Sequence, residues 1–270
     1  MTATRTGSAI TAMWAWDNPV DPADDPRGRG YAPAAADRLA AFARAGQLRE
    51  VHLLAPSGPA GGVVDAWAAE AVAALHAEGV RVTAVSGVSG ATPRWTEAVL
   101  ALAPFDRLQV VVLPWAAPAP GRSVADLGTA LAAALTAVRG AGGGLPVDAS
   151  VPWWFATGDG ATGGALEALV PLADRVALAA PAPRAHGEGG ILELAAPAVA
   201  TLGAAGRPFM VAVQTDAPDI AGGADRTFFD EGPVALIREC ALVGQALGEV
   251  PGFEGVAVKA HRAWRRLLGV

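Results

Sequence analysis

The chain has a single cysteine, Cys240, among its 270 residues. That count excludes an internal disulfide and a cysteine-built metal cluster. Its flanks, "VALIRECALVGQAL", give Cys240 the setting of a packed helix residue rather than a nucleophile. No block of Lys and Arg is long enough to track phosphates, and with a formal charge of -6 this argues against nucleic acid as the main partner. The cluster Arg262, Arg265 and Arg266 near the end fits a solvated helix face. No apolar run reaches membrane-spanning length, and the opening "MTATRTGSAITAMWAWDNP" lacks the apolar core and cleavage site of a secretory leader. The expectation is therefore no membrane partner and a cytoplasmic location.

A long Pro/Gly-rich linker is missing too, as is any internal repeat beyond a strand and helix period. What is there is apolar: 52% hydrophobic residues with 33 Gly and 21 Pro describe a folded globule with many short connections. Strand-like runs recur at "SAITAMWAW", "LREVHLLAP", "GVRVTAVSG", "LQVVVLPW", "LPVDASVPWW", "DRVALAAPA", "RPFMVAVQTD" and "GVAVKAH". Ala/Leu-rich segments with helical periodicity lie between them, several ending at a glycine such as Gly46, Gly79 or Gly140. The fifth and sixth helices are weaker, and Pro197 predicts a restriction or break in the sixth. This order predicts an α/β fold, a (β/α)8 TIM barrel formed by one domain over residues 1–270. A doubly wound open sheet is the alternative, but "WDNPVDPADDPRGRGY" after the first strand has neither the glycine spacing nor the prompt helix start of a dinucleotide site. No motif implies a cofactor.

In a barrel the strand ends carry the chemistry. Asp17 follows "MWAW" at the first; it fits a hydroxyl acceptor or acid/base group, and equally a turn residue capping "DNP". Asp21, Asp24 and Asp25 beyond it lack the ligand pattern of a calcium loop. Ser57 and Ser86 fit turns, having no local nucleophile motif. Asp148, Trp153 and Trp154 belong to the fifth strand: indoles can stack on a sugar ring or fill a core, and an Asp early in the strand would lie low in the barrel. After the sixth strand, "PAPRAHGEGG" offers Arg184, His186 and Glu188 for a polar ligand or proton exchange, or simply a polar loop. One His with one Glu does not specify a metal site. Gln214 and Asp216 close the seventh strand, and Lys259 and His261 the eighth. They suit a polar or anionic ligand, or an ordinary patch of paired charges.

The segments "MWAWDNP", "FDRLQVVVLPW", "VDASVPWW", "VAVQTD" and "FEGVAVKAHRAW" together resemble a bacterial family of glycoside-hydrolase-like TIM-barrel proteins, along nearly the whole chain. In members of that family that look catalytic, the fourth strand carries an Asp and, two residues later, a Glu before a Pro-aromatic pair. The resemblance places Val111 and Leu113 there, before Pro114 and Trp115. It also places Gln214 where the family has an acid and Lys259 where it has a histidine. Valine and leucine cannot transfer a proton or form a covalent intermediate. The favoured expectation is thus a non-catalytic or functionally altered carbohydrate-binding barrel, taking a saccharide or other small polar ligand through Asp17, Trp115, Trp153, Trp154, His186, Gln214 and Lys259. Two alternatives stay open: a glycoside hydrolase acting on a polysaccharide or glycoconjugate, with Asp17, Asp148, Glu188 or Asp216 as its acids, and a structural or protein-interaction barrel.

Overall fold

The computed structural model describes residues 8–15, 35–55, 63–115, 117–118, 121–158 and 164–270. The eight strands are β1 (Ile10–Ala15), β2 (Glu50–Leu54), β3 (Arg81–Gly87), β4 (Arg107–Val111), β5 (Val147–Pro152), β6 (Val176–Ala179), β7 (Phe209–Gln214) and β8 (Phe253–Lys259). Each pairs in parallel with the next, and β1 pairs with β8 through Ala12↔Ala257 and Trp14↔Lys259. The sheet is a closed (β/α)8 barrel, which rules out the open-sheet alternative.

Each strand needs two apolar faces, because helices cover its outside and other strands its inside. One parity supplies the outer face with Val and Leu residues such as Val51, Leu53, Val82, Leu108, Val151 and Val258, all buried. Fully burying one such side chain stabilises by roughly 1.5–3 kcal/mol, so this parity fixes the register. The other parity points to the axis, where Ala12, Trp14, Val85, Val111, Ala177 and Met210 belong to a second apolar cluster. Gly255 lets β8 close on β1: at φ +122° it lies so near Thr11 that a Cβ would come within 2.6 Å of that side chain. A register shift in β1–β8 pairing marks the spot.

The helices are α1 (Ala36–Ala45), α2 (Val63–Ala77), α3 (Pro93–Leu102), α4 (Val124–Ala141), α5 (Trp154–Thr157), α6 (Leu166–Leu169), α7 (Ile191–Ala204), α8 (Pro218–Ala221), α9 (Gly232–Leu247) and α10 (His261–Leu268). Thr92 and Ser123 cap α3 and α4 by accepting the Trp95 and Asp126 N–H groups. The weak fifth helix is realised as α5 and α6, four residues each. Contrary to the expected break, α7 runs straight through Pro197. Both Pro197 and Glu193, whose carbonyl loses its N–H partner, are on the exposed side of the helix, where water can serve that carbonyl. By length and composition α4, 18 residues, also passes for a short membrane span. Here it packs Leu131, Leu135 and Val138 on the core.

Candidate functional site

The loops that follow the strands gather at one end of a TIM barrel, and binding chemistry sits there as a rule. At that end the structure brings three of the expected residues together. Lys259, the chain's one lysine, is the last residue of β8 and Asp216 lies two beyond β7. Lys259 Nζ is 3.3 Å from Asp216 Oδ2, with 13% and 14% of the two side chains exposed. The same ammonium lies 5.1 Å from the centre of the Trp115 ring, within cation–π range.

Trp14 forms the floor. Its ring stacks on His52 (4.5 Å, 20° between planes) and meets Trp115 edge-on at 5.4 Å. Its Nε1–H donates to Gln109 Oε1 at 2.9 Å. Trp14, His52 and Gln109 were not singled out by the sequence. The signal was their shared inward parity with known rim positions, visible only once the register is fixed.

The other expected residues have separate placements. Gln214 donates from Nε2 to the carbonyls of Ala221 and Arg226, both at 3.1 Å, and so braces the segment after β7. Trp115 and Trp154 are only 2% and 3% exposed. Trp154 supports the rim by donating its Nε1–H to the Trp115 carbonyl at 3.2 Å, whereas Trp153 is half-buried. Ser86 is buried and its hydroxyl donates to the Gly87 carbonyl, a turn role. His186 and Glu188 are exposed on the loop after β6. Glu239 of α9 ties that loop down by accepting the Ala185 N–H at 2.7 Å. Burial pushes the Glu239 carboxyl up, but this bond and Arg238 hold it below its usual range. Asp17, Asp21, Asp24, Asp25 and Ser57 lie outside the described residues.

Asp148 is at the opposite end of the barrel. It is the second residue of β5 and fully buried, and it accepts from Arg107 (Nε 2.8 Å, Nη2 2.5 Å) and Arg175 (Nε 3.0 Å, Nη2 2.6 Å). Arg175 also grips Glu50 through both terminal nitrogens and reaches Glu254 at 3.3 Å, joining β2, β5 and β8 beneath the axis. Burial raises the Asp148 carboxyl against the pull of Arg107 and Arg175. For Glu50 burial acts upward too, but Arg175, with Thr83 donating at 2.5 Å, wins and holds it well below the carboxylate range. His52 stands just above, its Nε2 3.8 Å from Glu50; burial drives its imidazole down to about 3, only partly opposed by Glu50. A cavity of about 330 Å³ opens at this end, bordered by Arg107, Arg139, Asp174, Arg175 and Glu254. Its charges are mutually paired: Arg139 bonds Asp174 at 3.0 Å as Arg175 bonds Glu254.

Among the described residues, no group of three or more His, Cys, Asp or Glu side chains is placed to hold a metal ion. Among those within two positions of a strand's C-terminal end, Asp216 is the one carboxylate. At the end of β4, Val111 is buried in the inner cluster and Leu113 is 44% exposed. The rim therefore offers an ammonium, a carboxylate and aromatic walls. Such a set can donate to and accept from ligand hydroxyls.

No protein-family model and no curated protein sequence matches the chain. Solved structures share its fold. The GH113 β-mannanase AaManA from Alicyclobacillus acidocaldarius, in complex with ManMIm, aligns with a TM-score of 0.58 at 10% identity, over 94% of this chain and 86% of that one. An endo-β-N-acetylglucosaminidase from Cordyceps militaris gives 0.50 at 13% identity, over 97% and 90%. PhdJ bound to a substrate intermediate gives 0.50 at 14%, over 93% and 66%. At these identities the likeness is one of fold.

Proposed function

We propose that the protein is a carbohydrate-binding barrel, functionally altered from a glycosidase and without glycosidase chemistry of its own. The observation that carries this reading is the Lys259–Asp216 pair at 3.3 Å, with Val111 and Leu113 at the end of β4. Glycoside hydrolysis by either common route uses two carboxyl groups flanking the bond, one to protonate the leaving oxygen and one to act as nucleophile or base. Asp216 is the one carboxylate among the described strand-end residues and is paired with Lys259, and a single carboxyl cannot play both parts. The positions where the resembled family carries its fourth-strand acids hold two aliphatic side chains. Saccharide is the favoured ligand class because a charge-neutral pair can both donate to and accept from hydroxyl edges, and the half-buried Trp153 just past β5 leaves part of an indole for an apolar face.

Calorimetric titration with a panel of oligosaccharides, run beside chromogenic glycosides, tests both halves. Saturable binding without turnover is expected. Hydrolysis that disappears in Asp216→Asn would overturn the non-catalytic half, and absence of binding across the panel would overturn the ligand class.

A further inference from the structure

The inside of the barrel has two unlike walls. β2, β4 and β5 turn His52, Gln109 and Ser150 toward the axis, all three fully buried. Facing them, β6, β7, β8 and β1 present Ala177, Ala212, Ala257 and Ala12, where TIM barrels ordinarily stack bulky branched side chains. The polar groups below are satisfied: Glu50, Thr83 and Asp148 spend their bonds in the Arg175 cluster. In the middle they are not. Both ring nitrogens of His52, Nε2 of Gln109 and Oγ of Ser150 are buried without a hydrogen-bond partner among the described residues. A buried polar group left in that state costs its full desolvation penalty, so native interiors supply partners almost without exception.

The chemistry of these atoms selects the partner. His52 is neutral, since burial drives it down to about 3, and offers one donor and one acceptor nitrogen. Gln109 Oε1 is taken by the Trp14 indole, which leaves its amide nitrogen to donate. The Ser150 hydroxyl can do either. No uncompensated charge faces this level, because Arg107 and Arg175 hold the carboxylates below. A metal ion would find one imidazole and a hydroxyl, too few ligands for a stable site. An anion would find no cation free to meet it. What fits is a small neutral molecule that both donates and accepts. The two nitrogens of one imidazole point away from each other, so a single such molecule cannot serve both.

We propose that the centre of the barrel, between the Trp14–His52 stack and the Arg175 cluster, is a sealed polar chamber that binds at least two water molecules on His52, Gln109 and Ser150. Buried waters of this kind make about three hydrogen bonds each and are as much part of a fold as its side chains. These would also hold the His52 ring and Gln109 amide on which Trp14, and through it Trp115, rests.

Two measurements test the chamber independently of any sugar. A high-resolution crystal structure of the full chain should show ordered solvent within hydrogen-bond distance of Ser150 Oγ, Gln109 Nε2 and a ring nitrogen of His52. Oxygen-17 magnetic relaxation dispersion should detect long-lived internal water, with a smaller amplitude in Ser150→Ala than in the parent. Direct bonds among the three side chains, a dry interior, or density too large for water would each overturn the proposal. So would an unchanged dispersion amplitude in folded Ser150→Ala; the crystal structure decides the matter if that variant does not fold.

Discussion

Lys259 and Asp216 form an ion pair of 3.3 Å across the ends of β7 and β8. The pairing follows from register, since Lys259 stands opposite Gln214 on one side and Trp14 on the other. Asp216, two residues past Gln214, is thereby brought back over the lysine. Thr215 fixes this turn by donating its hydroxyl to the Lys259 carbonyl at 3.1 Å, and Thr227 donates to the Asp216 carbonyl at 2.6 Å. The pair is thus held from the backbone, as a site for recognition requires.

If this pair recognises the ligand, Lys259→Met should weaken saccharide binding at least tenfold, about 1.4 kcal/mol. The change removes a donor and leaves Asp216 facing the apolar Trp115 wall. Titration calorimetry on the folded variant measures it. Affinity equal to the parent would remove Lys259 from the ligand site.

The opposite end should govern stability instead. Arg175 is 3% exposed at its side chain and engages Glu50, Asp148 and Glu254. Arg175→Met leaves buried Asp148 to Arg107 alone and buried Glu50 to Thr83 and the exposed Arg81, a loss expected to cost roughly 3–5 kcal/mol. Arg81 meets Glu50 from a side chain that is 56% exposed, so Arg81→Ala should cost less, on the order of 1 kcal/mol. Urea unfolding of the two variants gives the comparison, and equal losses would contradict the keystone role of Arg175.

Much of this fold was legible because alternation of apolar strands with Ala/Leu helices is a local pattern, and closure follows from counting strands. The rim position of Lys259 and Asp216 was legible for the same reason: both follow an apolar run. The Arg175 network was not. Its charges start strands, where they look like turn residues, and Arg175 and Glu50 are 125 residues apart. Nor could the sequence sort the tryptophans, because a parallel strand buries both faces. Trp14, Trp115 and Trp154 look alike in sequence, and only the register separates floor, wall and support. The Pro197 break failed because a proline ring on an exposed helix face removes one bond that solvent replaces.

Acid should destabilise the protein first through His52. An unfolded His52 takes up its proton near 6.5, whereas the folded one resists until about 3. Its contribution is complete above pH 6.5 and lost as pH falls toward 3, with a slope of about 1.4 kcal/mol per pH unit. Glu50, held below its ordinary 4.5, adds a second loss as pH drops through the carboxylate range. Asp148, raised by burial, opposes it there. Unfolding free energies measured from pH 7.5 down to pH 4 should therefore fall from about pH 6.5 in the parent and stay flatter in His52→Gln. Identical slopes would assign the acid sensitivity to other groups.

The tryptophans should separate binding from packing. Trp153 is the half-buried member, at the end of β5, and as a sugar platform it would work through its exposed indole face. Trp153→Ala should then weaken saccharide binding several-fold while leaving the folded spectrum in place. Trp115 and Trp154 are 2% and 3% exposed, and Trp154 also bonds the Trp115 carbonyl. Replacing either by Ala opens a cavity in packed structure and should cost roughly 3–5 kcal/mol. Thermal unfolding and calorimetric titration of the three single variants give both readouts for each. If Trp153→Ala binds as the parent does, the ligand makes no use of that ring. If instead Trp115→Ala loses binding with little change in stability, Trp115 is uncovered in the bound form, and the platform moves to the indole beside Lys259.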